Sequence, residues 1–205
     1  MKRGFFITFE GPEGSGKSSQ ARRLAQALTR AGRRAVFVRD PGSTALGRRL
    51  RRVLLHERRA LSPMTEALLF IAGRLQLVEE RIRPALAQGG IVVCDRFHDS
   101  TVAYQGFGGG GDIRWLEQAG RNAIGGLLPD LTILLDVPTA VGFARLTHRR
   151  DRMERKPRAF HRRVRQGFLR LARRQRRRFV VIDATRPQAA IQQHVLRAVR
   201  KRLGR

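Results

Sequence analysis

The chain has one cysteine, Cys94, which excludes an internal disulfide framework and agrees with a reducing compartment, so a cytoplasmic setting is expected. No apolar run approaches the roughly 18 residues that a membrane-spanning helix needs. The short apolar run behind Lys2 and Arg3 ends in Glu10, too early for the core of a secretory signal. The histidines are scattered, none at a metal-ligand spacing from Cys94 or another histidine, so no structural zinc site is expected. Acids are scarce: 16 Asp and Glu face 43 Lys and Arg, a net charge of +27. That predicts attraction to polyanions and self-repulsion at low salt. The excess is mostly arginine, however, and Lys-to-Arg drift on solvated faces gives the same total without any nucleic-acid function. The basic run RLARRQRRRF (170–179) has no interleaved aromatics, unlike the stacking platforms of single-strand binders.

What is present is an alternation. FFITF (5–9), AVFV (35–38), IVVC (91–94), LTILL (131–135) and FVVI (179–182) are short continuous apolar runs, as in strands buried on both faces. Helical patterns separate them: about Lys17 to Ala31, about 44–55, and a long amphipathic segment from Ser62 to about Ala87. Ser62 suits an N-cap, Pro63 the first turn, and Glu66 the N-terminal turn, where negative charge is favoured. The βαβαβαβαβ order implies a three-layer α/β fold. GFGGGG (106–111) reads as a flexible loop rather than a linker, because apolar patterning resumes on both sides. Residues 1–205 are expected to form a single domain.

GPEGSGKS (11–18) follows the first strand and opens the first helix, matching G-x-x-x-x-G-K-[ST] in the context that motif requires. Its glycines let backbone N–H groups converge on one concavity, and the helix N-terminus adds partial positive charge. Gly11, Pro12, Glu13, Gly14, Ser15, Gly16, Lys17 and Ser18 are therefore the expected nucleoside-triphosphate-binding loop, which the resemblance drawn below assigns to ATP. Lys17 reaches the outer phosphates and Ser18 offers a hydroxyl to Mg²⁺. A GTPase would want an Asn-Lys-x-Asp motif, which is absent, and a motor would usually be larger. Three strands end in an acid: Asp95, Asp136 and Asp183. Asp95 is the best metal candidate beside Ser18, because Arg96 follows it and the pair can serve metal and phosphate together. Asp136 reads as a strand-end turn and Asp183 as a cap or turn before the last helix.

With FEGPEGSGKSSQ, RDPGSTALGRRLRRVLL, TEALLFIAGRLQLVEERIRPALAQG, CDRFHDSTVAYQG, LPDLTILLDV and DRMERKPRAFHRRVRQGFL in order, the chain resembles the thymidylate kinase family from about Phe5 to about Ala184. The resemblance implies a P-loop nucleoside-monophosphate kinase fold with a five-stranded parallel sheet of order about 2-3-1-4-5. It implies transfer of the γ-phosphoryl group of ATP to dTMP, with Mg²⁺, toward dTTP for DNA synthesis, by a homodimer. It gives Glu13 the deoxyribose 3′-hydroxyl, and Arg39 and Arg96 the acceptor phosphate. It stacks Phe70 on thymine, with Arg74 one turn later donating to a base carbonyl. Ser100, Thr101 and Gln105 lie around the base, and Tyr104 beneath the sugar. Asp40 and Ser43 depart from the family's usual Arg-Glu-Pro-Gly-Gly-Thr, which leaves a related kinase with shifted base preference as an alternative.

The resemblance also places THRRDRMERKPR (147–158) as a basic lid of the bacterial type. The phosphate loop holds no arginine, so positive charge for the migrating group must come from elsewhere. Arg149, Arg150 and Arg152 are the natural donors, and Arg149 and Arg152 join Lys17 and Arg96 as the expected catalytic residues. Arg155, Lys156 and Arg158 read as solvated. Residues 145 to 178 hold sixteen Lys or Arg and two acids, more than one nucleotide can use. A basic P-loop protein that binds nucleic acid without turnover is the remaining reading. The intact Lys17, Ser18, Asp95, Arg96 and lid arginines argue against it, and specific nucleic-acid binding is not expected.

Overall fold

The computed structural model describes residues 4–57, 59–147 and 150–204. The chain runs β1 (Phe5–Glu10), α1 (Lys17–Arg30), β2 (Ala35–Arg39), α2 (Ala45–His56) and α3 (Pro63–Leu77), which passes through a π-helical turn (Val78–Ile82) into α4 (Arg83–Ala87). Next come β3 (Ile91–Asp95) and α5 (His98–Thr101), the latter continuing as a second π-helical turn (Val102–Gly108). The remainder is α6 (Ile113–Ala123), β4 (Leu131–Asp136), α7 (Thr139–Ala144), α8 (Arg158–Arg174), β5 (Phe179–Asp183) and α9 (Gln188–Leu203). The five strands form one sheet of order β2-β3-β1-β4-β5, with every pairing parallel.

The apolar runs are continuous because both faces of the central strands are covered. Ile7, Phe9 and Ile133 pack with Leu24 of α1 and Val195 of α9. Their neighbours along the strands point the other way, as the pleat demands. Phe6 and Val92 meet Leu77, Ile82 and Phe97, and Leu134 meets Phe160, Val164 and Phe168 of α8. Phe6 and Phe97 pack edge to face, with ring centroids 4.9 Å apart. Ser62 caps α3 by accepting from the Thr65 N–H at 3.0 Å, as its place before Pro63 suggests.

GFGGGG departs from its expectation. Gly106–Gly108 are the end of the second π-helical turn, and only Gly109–Gly111 lie beyond it. Gly108 is buried against α8, where a Cβ would come within 2.7 Å of Phe160 and Val164. Close helix packing calls for glycine there, and composition alone could not distinguish that from a loop. No helix among the described residues is long and apolar enough to cross a membrane.

Candidate active site

The loop between β1 and α1 is held for an anion. Gly16 is the N-cap of α1, at a left-handed φ of 84°, and no side chain among the described residues caps this helix. The first-turn N–H groups of α1 thus remain open to a ligand. A Cβ on Gly14 would lie 1.9 Å from the Gly142 carbonyl oxygen, so α7 can close directly on the loop. Lys17 folds back, its Nζ donating to the Pro12 carbonyl at 2.6 Å and to Ser15 Oγ at 3.1 Å. Burial, then the neighbouring Arg96 charge, lowers its pKa to about 8.

The end of β3 brings the metal candidates together. Ser18 Oγ donates to Asp95 Oδ2 at 2.5 Å, and Arg39 Nε donates to the same oxygen at 3.1 Å. A hydroxyl and a carboxylate side by side suit Mg²⁺, which takes one or two protein oxygens and leaves its other positions to phosphates and water. No cluster of three or more His, Cys, Asp or Glu able to hold a metal occurs among the described residues, so substrate oxygens would have to complete such a site.

Arg96 follows with φ 69°, a left-handed backbone that an arginine adopts only when its surroundings impose it. Its Nη2 donates to both Glu13 oxygens and to Tyr104 Oη, each at 3.1 Å, and its Nη1 donates to Ser100 Oγ at 3.2 Å. Tyr104 Oη in turn donates to Glu13 Oε1 at 2.6 Å. Burial alone would raise the Glu13 pKa, but Arg96, Lys17 and the Tyr104 hydrogen bond outweigh it and hold it at about 2.

Beneath this clamp lies Glu10, which sequence reasoning missed. Its side chain is fully buried, accepting from the Phe97 N–H at 2.8 Å and lying 2.5 Å from Ser100 Oγ. Burial, then the Asp99 charge, pushes its pKa up to about 8. The signal was available, since FFITFE ends in an acid just as the other three acid-ended strands do. Ser100, expected near the base, bridges Glu10 and Arg96 while lining the same cavity as Phe70 and Arg74.

At the far end, Arg74 is almost wholly buried on α3. Its Nε donates to Asp40 Oδ2 at 2.5 Å, and its Nη2 donates to the Phe97 carbonyl at 3.2 Å and to Thr101 Oγ1 at 2.9 Å. Its Nη1 has no hydrogen-bond partner among the described residues. Gln105 donates through Nε2 to Glu66 Oε2 at 2.9 Å, and its Oε1 is likewise without a partner among them. Phe70 lies one turn before Arg74 on the same face. One cavity of about 530 Å³ runs from Lys17 and Ser18 past Asp95 and Arg96 to Phe70, Arg74 and Gln105, with Glu13, Arg39, Ser100, Thr101 and Tyr104 also in its wall. Gly11, Pro12 and Ser15 sit behind that wall, buried.

The basic segment expected to form a lid differs from its expectation in two places. Arg152 does not line the cavity, because its Nη1 donates to Glu66 Oε1 at 2.6 Å and its Nε to the Leu54 carbonyl at 2.8 Å. Lys156 is not a solvated charge, for its Nζ reaches the two Glu66 oxygens at 2.8 and 3.0 Å. Arg155 and Arg158 are exposed, as expected. Arg150 is exposed with its guanidinium 4.9 Å from the Phe143 ring centroid, and Arg149 lies outside the described residues. The other strand-end acids have local work. Asp136 binds Arg165 through two hydrogen bonds of 2.7 and 2.8 Å, and Asp183 caps the turn at Thr185.

The family model for thymidylate kinase matches residues 9–195. A thymidylate kinase of Deinococcus radiodurans is 47% identical over 204 residues, covering 98% of this chain and 99% of its own. One from Thermomicrobium roseum is 50% identical over 190 residues, covering 91% and 90%. The crystal structure of thymidylate kinase from Ehrlichia chaffeensis aligns with a TM-score of 0.79 at 34% sequence identity, covering 96% of this chain and 99% of that one. Phosphate loop, arginine clamp and buried α3 arginine all fall inside the matched span, and the chain belongs to the thymidylate kinase family.

Proposed function

We propose that the protein transfers the γ-phosphoryl group of ATP to the 5′-phosphate of dTMP, giving ADP and dTDP, with residues 1–205 acting as one domain and 147–158 as its lid. The carrying observation is the cavity of about 530 Å³ that brings Lys17 and Ser18 of the phosphate loop into the same space as Phe70, Arg74 and Gln105. Arg74 Nη1 and Gln105 Oε1, both closed to solvent, have no hydrogen-bond partner among the described residues and are the donor and acceptor those side chains would have to turn toward a base. A thymine edge offers a carbonyl oxygen beside an N–H, which a guanidinium donor and an amide acceptor complement. Cytosine presents an amino group beside a bare nitrogen and inverts both. Phe70 supplies a ring for stacking, and Thr101 holds Arg74.

ATP phosphates take the loop Gly11–Ser18, whose Lys17 leaves Pro12 and Ser15 for the outer phosphates. The Ser18 and Asp95 oxygens are the groups that would hold Mg²⁺, which when bound neutralises phosphate charge. Arg39 and Arg96 take the acceptor phosphate, for which a planar fork is suited. Glu13 takes the 3′-hydroxyl, and Tyr104 packs under the deoxyribose. The acceptor oxygen is already anionic, so no general base is needed, and the protein's contribution is alignment and positive charge. Arg149 and Arg150 supply charge from the lid, and Arg152, held by Glu66 outside the cavity wall, adds to it only if lid closure carries it inward; that closure excludes water. The exposed Val53, Leu68 and Trp115 on α2, α3 and α6 supply apolar surface for a homodimer, and the cytoplasm is the proposed compartment.

The test is ADP formation from ATP and Mg²⁺ with dTMP, dUMP, dCMP, dGMP or UMP one at a time, alongside Arg149→Ala and Arg152→Ala. Strong preference for dTMP, with a lid variant that binds ATP but turns over slowly, supports the reading. If no monophosphate stimulates ADP release, the kinase reading fails.

A further inference from the structure

Glu66 lies in the first turn of α3, where its sequence position suggests only a favourable end charge. Its side chain is instead closed to solvent and accepts hydrogen bonds from Gln105, Arg152 and Lys156. Burial alone would raise its pKa. Hydrogen bonds from Lys156 and Gln105, the Lys156 charge and the Arg152 hydrogen bond outweigh that and hold it below the usual carboxylate range. Arg152 is stitched further to α2: its backbone N–H donates to the Leu55 carbonyl at 3.0 Å, beside the Nε bond to Leu54. Lys156 also sits 4.8 Å from the Phe160 ring centroid.

Two consequences follow from the chemistry of a carboxylate. An ionised carboxylate only accepts, so its bond to Gln105 fixes which way that amide points: the NH₂ is committed to Glu66 and the oxygen is left over. A buried anion shared by two cations also holds both, because releasing either leaves charge uncompensated in a poorly solvated place. Resting on the thymidylate kinase reading above, we propose that Glu66 is a positioning residue joining the two ends of the site. It presets the Gln105 amide for the acceptor base, and through Arg152 and Lys156 it seats the basic 150–157 segment beside the same cavity. Base recognition and lid seating then depend on one carboxylate.

Glu66→Gln is the deciding variant, since it keeps the volume but removes the charge and can donate as well as accept. Expected is a roughly tenfold fall in kcat with dTMP and faster amide hydrogen exchange over 150–157. The preference for dTMP over dCMP in kcat/KM also falls, because the Gln105 amide is no longer held one way round. A merely structural role would lower both substrates alike. Lys156→Gln loosens 150–157 in the same exchange measurement, and the double variant loses no more turnover than the worse single one. Wild-type exchange over 150–157 in Glu66→Gln, an unchanged dTMP to dCMP ratio, or losses that multiply in the double variant would each overturn the proposal. Should Glu66→Gln not fold, unaltered exchange in Lys156→Gln overturns it. If the unmodified protein turned over no monophosphate, the functional reading would fail while the exchange arm still decided the clasp.

Discussion

Arg74 donates through Nε to Asp40 Oδ2 at 2.5 Å, and neither side chain meets solvent appreciably. Asp40 is therefore an anchor for the residue assigned to the base, which gives its replacement of the family's usual glutamate a specific setting. Asp40→Asn leaves the Arg74 charge buried without its counterion. It is expected to cost about 3–5 kcal/mol in denaturant unfolding. The surviving activity should show a raised KM for dTMP, because the guanidinium is no longer aimed.

Glu10 gives the protein a pH dependence opposite to that of an ordinary carboxylate. Its folded pKa of about 8 lies well above that of an ordinary glutamate, so the folded form keeps a proton that the unfolded chain has released. The contribution is full below the unfolded pKa and is lost as pH rises from there through the folded pKa, by at most about 1.4 kcal/mol per pH unit. Glu13 works the other way: its stabilisation is present above its unfolded pKa and is lost as pH falls toward about 2. Unfolding measured between pH 5 and 8 should therefore decline less steeply for Glu10→Gln than for the unmodified protein. An identical slope in the two would remove Glu10 as the cause.

How much of this was legible follows from the range of each contact. The strands and the phosphate loop are local patterns: FFITF followed by GPEGSGKS carries its own context. The partners of Glu10, Asp40 and Glu66 are not local. Glu10 meets Ser100, Asp40 meets Arg74, and Glu66 meets Arg152 across long sequence separations. Periodicity can say that Glu66 begins a helix, yet it cannot say that the distant Arg152 and Lys156 land on it. The same limit made Lys156 look like a solvated charge and Gly106–Gly108 look like a loop.

Lys17 separates binding charge from stability. It is buried with a depressed pKa, so its removal costs the fold little, while the outer phosphates lose their only loop cation. Lys17→Ala should lower kcat at least about 100-fold, as loss of a group stabilising transition-state charge does. The unfolding midpoint should stay close to that of the unmodified protein. A kcat within a few-fold of normal would remove Lys17 from the transfer step.

Glu13 is tied to Arg96 and Tyr104. If its carboxylate receives the 3′-hydroxyl, the unmodified protein discriminates against the 3′-deoxy analogue of dTMP. Glu13→Gln should shrink that discrimination by roughly tenfold, the scale of a hydrogen bond to a charged group. Equal discrimination in both proteins would assign the 3′-hydroxyl elsewhere.

The basic excess is in part internal wiring, which neighbouring arginines can test. Arg178 donates to both oxygens of Asp99 at 2.7 Å and to Thr132 Oγ1 at 2.6 Å, and both members of the ion pair are largely buried. Arg177, one residue earlier in the same run, is exposed. Arg178→Ala strands Asp99 and should cost about 3–5 kcal/mol in denaturant unfolding. Arg177→Ala should fall within about 0.5 kcal/mol of the unmodified protein. Added salt should raise the melting temperature of all three, because screening relieves the repulsion of a +27 chain more than it weakens the covered Arg178–Asp99 pair. Equal costs for the two variants would mean that the run is one solvated face, and a partner for its charge would then have to be sought outside the protein.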